Sequence, residues 1–336
     1  MKWYEDLGSD LDNLDPPILA QDWDNLHNVM SWCLNNDQND QLDIFKTLLN
    51  SLAQVKAPAH NADQVLAWHE QLLANKAKAT EFSGLAQVML EQSKVLTAKG
   101  GESNLALAQE LLLHAVKWQD KKDKIFAIDM ILMEGVIALR QGDIDRSKTL
   151  LSQLKTELPK AKLDQEALEH FQLFLNYYQA EISYRYGDFK QANALYTEAL
   201  DQAKQVEWPE AIAAINNWLA DVALSQGKYN EADRLLGTSL PEAEKNGDLV
   251  SVGFHQKSWS IYYLAKNNLE EAKKFIALAQ RNLTSQGIEA EAEEAQAFWD
   301  YLKKKRKKRR GKPPRNFVKK QPTYDPQIGN TYFLGY

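Results

Sequence analysis

The chain has 336 residues, 44% apolar and 26% charged, enough to bury a sizeable core in one extended domain or two average ones. Its 15 Gly and 10 Pro are about six-tenths of the usual share, which disfavours a turn-rich β-sandwich or barrel. The formal charge of −6 joins unlike parts: from Lys303 to the end twelve Lys/Arg against Asp325 give +11, and the 28 basic and 45 acidic residues before it give −17.

In chain order, residues 1–17 form a polar, Asp-rich lead ending in Pro16-Pro17, a pair suited to start a helix. Helical apolar spacing follows, with Val65, Trp68 and Leu72 on one segment and Gly101, Ala106 and Ala108 on another. From residue 124 the pattern repeats. Segments starting at Gly142, Gly187, Gly227 and Asn267 superimpose, and their starts lie 45, 40 and 40 residues apart. Two places on stands Ile144, Phe189, Tyr229 or Leu269; five places on stands Ser147, Ala192, Ala232 or Ala272; eight places on stands Leu150, Leu195, Leu235 or Phe275. Seven places before each start is Gly135, Ala180, Ala220 or Ser260. Small residues let two helices approach, and Gly or Asn between them tolerates the positive φ of a helix end. Each unit therefore reads as helix A, a short turn and helix B.

This pattern resembles the tetratricopeptide repeat (TPR) family, most specifically in residues 124–285 and more loosely upstream. The stretch from Ala20 to Leu34 resembles the helix opening the repeat region of STAND-type signalling ATPases, although no phosphate-binding Gly-x-x-x-x-Gly-Lys-Ser/Thr occurs in the chain. The resemblance implies an all-α, right-handed superhelical solenoid. About six hairpins would fill residues 18–285 and a final helix, roughly 287–303, would cap them, giving one repeat domain over 18–303. Residues 304–336 are too charged and proline-containing to bury a core and form a separate basic tail.

Recognisable catalytic chemistry is not legible in the residues. The single cysteine, Cys33, excludes an intrachain disulfide framework and a Cys-rich zinc site. The six histidines (His27, His60, His69, His114, His170, His255) are scattered singly and read as surface or half-buried. His69-Glu70 opens like a metalloprotease helix, but Leu73 stands where the second His belongs. Glu291, Glu293 and Glu294 read as a solvated helix face. No run of about 18 uncharged apolar residues and no apolar leader core behind Met1 occur, so a non-enzymatic cytoplasmic protein without membrane contact, cofactor or small-molecule substrate is expected.

Two features remain as candidate binding sites. Repeat alignment puts Tyr177 and Glu181, Asn217 and Asp221, and Lys257 and Ile261 on successive A helices, facing a concave groove. In TPR proteins that grip a C-terminal carboxylate these places resemble a Lys/Asn clamp; here Glu181 and Asp221 would repel a carboxylate, so a basic or amphipathic protein segment fits better. The other feature is the run Lys303, Lys304, Lys305, Arg306, Lys307, Lys308, Arg309, Arg310, Lys312 and Arg315, followed by Lys319 and Lys320, which suits a nucleic acid or nucleoprotein. Tyr324, Tyr332, Phe333 and Tyr336 behind it suit a partner anchor. The expected function is a scaffold or adaptor with an RNA-binding tail; the alternative is a regulatory sensor docking on a transcription factor or ATPase of another chain.

Overall fold

The computed structural model describes residues 23–35, 67–68, 70–71, 85–118, 123–245 and 247–304, and among these there is no strand. The chain forms two compact units; the described residues of 23–98 and 106–118 belong to one, and those of 99–105 and 123–304 to the other. The lead 1–17 and everything beyond residue 304 lie outside the described residues.

The first unit contains α1 (Trp23–Asn35), α2 (Leu85–Lys99) and most of α3 (Glu102–Trp118). Trp68 is fully buried, with the His27 ring stacked on it at 5.9 Å, and burial pushes the Cys33 thiol up to about 11. Ser93 Oγ donates to the Ala108 carbonyl at 3.0 Å and ties α2 to α3. The equivalent bond downstream, Ser260 Oγ to the Ala272 carbonyl, spans 12 residues rather than 15. The three extra residues amount to most of a helical turn, which is why the upstream pattern falls out of register: Ala108 is buried and Ala106 is exposed.

The second unit holds α4 (Lys124–Arg140), α5 (Ile144–Glu157), a 3₁₀ turn (Leu158–Lys160), α6 (Gln165–Arg185), α7 (Phe189–Gln205), α8 (Pro209–Ser225), α9 (Tyr229–Lys245), α10 (Leu249–Ala265), α11 (Leu269–Ser285) and α12 (Glu289–Lys304). These are four A/B hairpins and a last helix packed on α11, as the repeat offsets lead one to expect. The four A-to-B turns pass through Gly142, Gly187, Gly227 and Asn267 at φ 83°, 80°, 74° and 59°, the left-handed region a helix end needs. Each closes with paired amide bonds back onto helix A, such as Gly142 N to the Leu139 carbonyl and Asp143 N to the Ala138 carbonyl.

The small residues do what their size allows. Ala180, Ala220, Ser260, Ser147, Ala192, Ala232 and Ala272 are all fully buried between helices. Helix B differs from expectation in one register: the residue eight places after each start lies on a flank, and only Leu235 of that set is buried. The buried face instead carries Leu151, Tyr196, Leu236 and Ile276, nine places on, because five, nine, twelve and sixteen fall on one stripe at 3.6 residues per turn. Replacing Ala232 with Phe should overpack this contact and cost about 1–3 kcal/mol, read by denaturant unfolding; an unchanged midpoint would contradict the close approach.

Among the B helices of this unit the caps show one gap. Asp143, Asp188 and Asn268 cap α5, α7 and α11 by accepting from the third amide onward, at 3.1, 3.0 and 3.4 Å. Lys228 occupies that place before α9 and makes only an exposed 3.8 Å ion pair with Glu231. Lys228→Asp should therefore stabilise the protein by about 1 kcal/mol through a new cap and a favourable charge at the helix start. A thermal melt that moves down instead of up contradicts it.

Candidate functional site

The A helices α6, α8 and α10 carry the five groove residues of the sequence reading, and the structure places all five in the interior. Tyr177 is fully buried; its hydroxyl accepts from Trp218 Nε1 at 2.8 Å, and its ring meets Tyr178 and Tyr196 edge-on. It is a packing residue that links α6 to α8. Glu181 is fully buried, and its Oε1 accepts from Arg185 Nε and Nη2 at 2.9 and 2.6 Å. Asn217 and Asp221 are 6% and 9% exposed. Lys257 is buried, and its ammonium is bound by Glu294 of α12.

Two carboxylates expected on a solvated face are drawn in. Glu293 is exposed, but Glu291 is only 3% exposed and accepts from Arg140 Nη2 at 2.5 Å, while Glu294 holds Lys257. The Arg140–Glu291 pair spans 151 residues and joins α4, the first A helix, to α12. Extending the 40-residue alignment one unit further gives the signal: Glu291 falls in line with buried Phe171, Ala211 and Ser251, and Glu294 with buried Phe174, Ala214 and Phe254. A carboxylate at a core position needs a buried cation. Arg140 and Arg185 supply two, each standing two places before its turn glycine.

The carboxylates Asp129, Glu181, Asp221, Glu291 and Glu294 and the cations Arg140, Arg185 and Lys257 are thus spread over five successive A-type helices. Burial pushes the Asp221 carboxyl up to about 6, opposed by a hydrogen bond from Ser258 and the Lys257 charge and reinforced by Glu294. Burial also raises Glu294, against the pull of Lys257. Among the described residues, the buried acceptor oxygens without a donor include Asn217 Oδ1, Asp221 Oδ1, Glu291 Oε2 and Glu294 Oε1. Native interiors satisfy nearly all such atoms, with ordered water where no protein donor reaches. Asn217 and Asp221 line a small cleft between α8 and α10, together with Trp218, Phe254, Lys257 and Ser258.

The remaining candidates lie elsewhere. His255 departs from the surface or half-buried expectation: it is fully buried on α10, its Nδ1 2.7 Å from the Ser251 carbonyl and its Nε2 2.8 Å from Ser239 Oγ, and burial lowers its pKa to about 4. Lys303 and Lys304 end α12 on its exposed side, Lys303 paired with Asp300 at 2.9 Å. The other tail cations, and Tyr324, Tyr332, Phe333 and Tyr336, lie outside the described residues. Among the described residues no three His, Cys, Asp or Glu side chains are arranged to hold a metal ion, and no helix is long and apolar enough to cross a membrane.

Among solved structures the chain is similar to a Signal Transduction ATPase with Numerous Domains (STAND) protein with a tetratricopeptide repeat sensor from Pyrococcus horikoshii, at a TM-score of 0.52 and 13% identity. The likeness covers 81% of this chain and 42% of that one, so the chain spans less than half of its neighbour's length. At this identity the likeness concerns the fold, and the fold is a TPR-like helical repeat. No family model matches the chain, and no curated protein matches it in sequence.

Proposed function

We propose that the protein is a non-enzymatic helical-repeat adaptor whose A-helix row receives a basic segment of another protein and whose tail tethers it to a nucleic acid or nucleoprotein. The observation that carries the first half is the buried polar seam on the A helices, with carboxylates in excess over cations. A TPR-like stack of this kind presents successive A helices to a partner, and helical repeats serve as extended binding surfaces. The tail half rests on charge: twelve Lys/Arg within 34 residues neutralise phosphates without reading sequence.

The likeness to the repeat sensor of a STAND protein favours a second reading, in which the bound segment belongs to a signalling ATPase or transcription factor of another chain and the tail is dispensable. Intact protein and protein ending at Leu302 separate the two. Each is titrated with a single-stranded RNA oligonucleotide over a salt series and with basic peptides selected from a displayed random library. The adaptor reading expects peptide binding in both and RNA binding in the intact protein alone, weakening by ~10²–10⁴ between about 50 and 200 mM salt for about six to ten phosphate contacts to a single strand. RNA binding that survives truncation would place that contact on the body, and RNA binding absent from both would leave the sensor reading.

A further inference from the structure

We propose that the Arg140–Glu291 pair is a clasp that holds the repeat stack closed on its concave side, and that the bound segment enters only when the clasp opens. The proposal rests on the adaptor reading above. In a helical-repeat stack each unit touches its neighbours, and the two ends stay apart. This pair departs from that rule, because it joins α4, the first A helix of the second unit, to α12, the last helix of the stack. The turn at Gly100 meets both helices at the same place: a Cβ on it would lie 2.8 Å from Arg140 Nη2 and 3.3 Å from Ala290 Cβ. Once the two ends of the row are joined, residues that the repeat pattern sets toward a groove become interior. Glu181, Asn217, Asp221 and Lys257 are buried in that way.

The same contact is the one suited to give way. Close packing between helices of this unit joins neighbours in the stack, such as α4 with α6 and α11 with α12. Opening the clasp leaves those interfaces whole, since each needs only a small rotation. What holds α4 to α12 is charge, on side chains 5% and 3% exposed. A buried ion pair gains little beyond the desolvation it costs, so water reaching both groups offsets much of what opening loses. Arg140 also stands in the last turn of α4 and Glu291 in the first turn of α12. Each helix dipole favours the charge at its own end, and that stabilisation stays with each helix when the pair parts. A basic segment therefore competes with Arg140 for Glu291, whose Oε2 is among the buried acceptors without a donor.

The test places spin labels on Thr149→Cys of α5 and Glu293→Cys of α12, both exposed positions, and reads their separation in the full chain; Cys33 is buried and stays unlabelled. Without ligand the protein should give one narrow, short distance. Arg140→Gln, which leaves Glu291 uncompensated unless the clasp opens, should add a longer one. Arg140→Met with Glu291→Leu should return the short one. A basic peptide from the titration above, at saturation, should bring the longer distance into the labelled protein with Arg140 intact. That peptide should bind Arg140→Gln at least about tenfold more tightly, because apparent affinity scales with the fraction of open molecules. Circular dichroism keeps opening apart from unfolding. A single short distance in helical Arg140→Gln overturns the clasp, and a peptide that binds without changing the distance overturns the gating. If no basic peptide binds either protein, the adaptor reading falls and the Arg140→Gln distance alone decides the clasp. If Arg140→Gln loses its helices, the peptide-induced change with Arg140 intact decides it instead.

Discussion

Replacing Arg140 with methionine should destabilise the second unit by about 3–5 kcal/mol, the largest effect expected of a single substitution in it. Both partners are almost wholly buried, with side chains 5% and 3% exposed, so the change strands the Glu291 carboxylate away from water. Its second oxygen already has no donor. The cost is that of an uncompensated buried charge, not the net worth of the ion pair, and the two can be told apart. Arg140→Met combined with Glu291→Leu removes both charges and should recover most of the loss, because a buried pair replaced by apolar groups is often neutral or stabilising. Space around the pair is tight: a Cβ on Gly100 would lie 2.8 Å from Arg140 Nη2. Denaturant unfolding of the two single variants and the double reads the cycle. Additive losses in the double variant would mean that the groups do not compensate each other.

Asp221→Asn should stabilise the protein, and only above about pH 4. The folded carboxyl titrates near 6 against an ordinary 3.8, so its contribution is fully present below about pH 3.8 and is lost as pH rises through about 6. A shift of about two units corresponds to roughly 3 kcal/mol of penalty once the group is ionised. Asparagine keeps an acceptor for Ser258 and carries no charge, so the gain over the wild type should be near zero at acid pH and approach about 3 kcal/mol by pH 7. His255 has the opposite sign: its folded pKa is lowered from 6.5 to about 4, so its contribution is complete above about 6.5 and is lost as pH falls through about 4. The wild-type curve mixes both, and the difference between variant and wild type isolates Asp221. Unfolding free energies at pH 4, 5, 6 and 7 give the profile; a gain equal at every pH would mean that charge burial is not its source.

The hairpins were legible because their determinants are local. A glycine or asparagine at positive φ and a small residue at each helix contact recur at fixed offsets, and a 40-residue period can be read by eye. The buried stripe of helix B was placed one residue early, since Leu150, Leu195, Leu235 and Phe275 are as apolar as their buried neighbours and sequence does not say which side faces in. The row of Tyr177, Glu181, Asn217, Asp221 and Lys257 was legible as a row, but its burial was not. A charged side chain reads as solvated until its partner is known, and the partners here sit far along the chain: Glu291 for Arg140 and Glu294 for Lys257. The last of the recurring Gly/Asn starts is Asn267, and both carboxylates stand on the helix after that unit.

The most direct measurement is the titration of the Asp221 carboxyl carbon by NMR in the intact protein, assigned by comparison with Asp221→Asn. The account predicts a midpoint near 6 in the free protein. A midpoint near the ordinary 3.8 would contradict the claim that this seam buries a carboxylate whose charge its neighbours only partly offset.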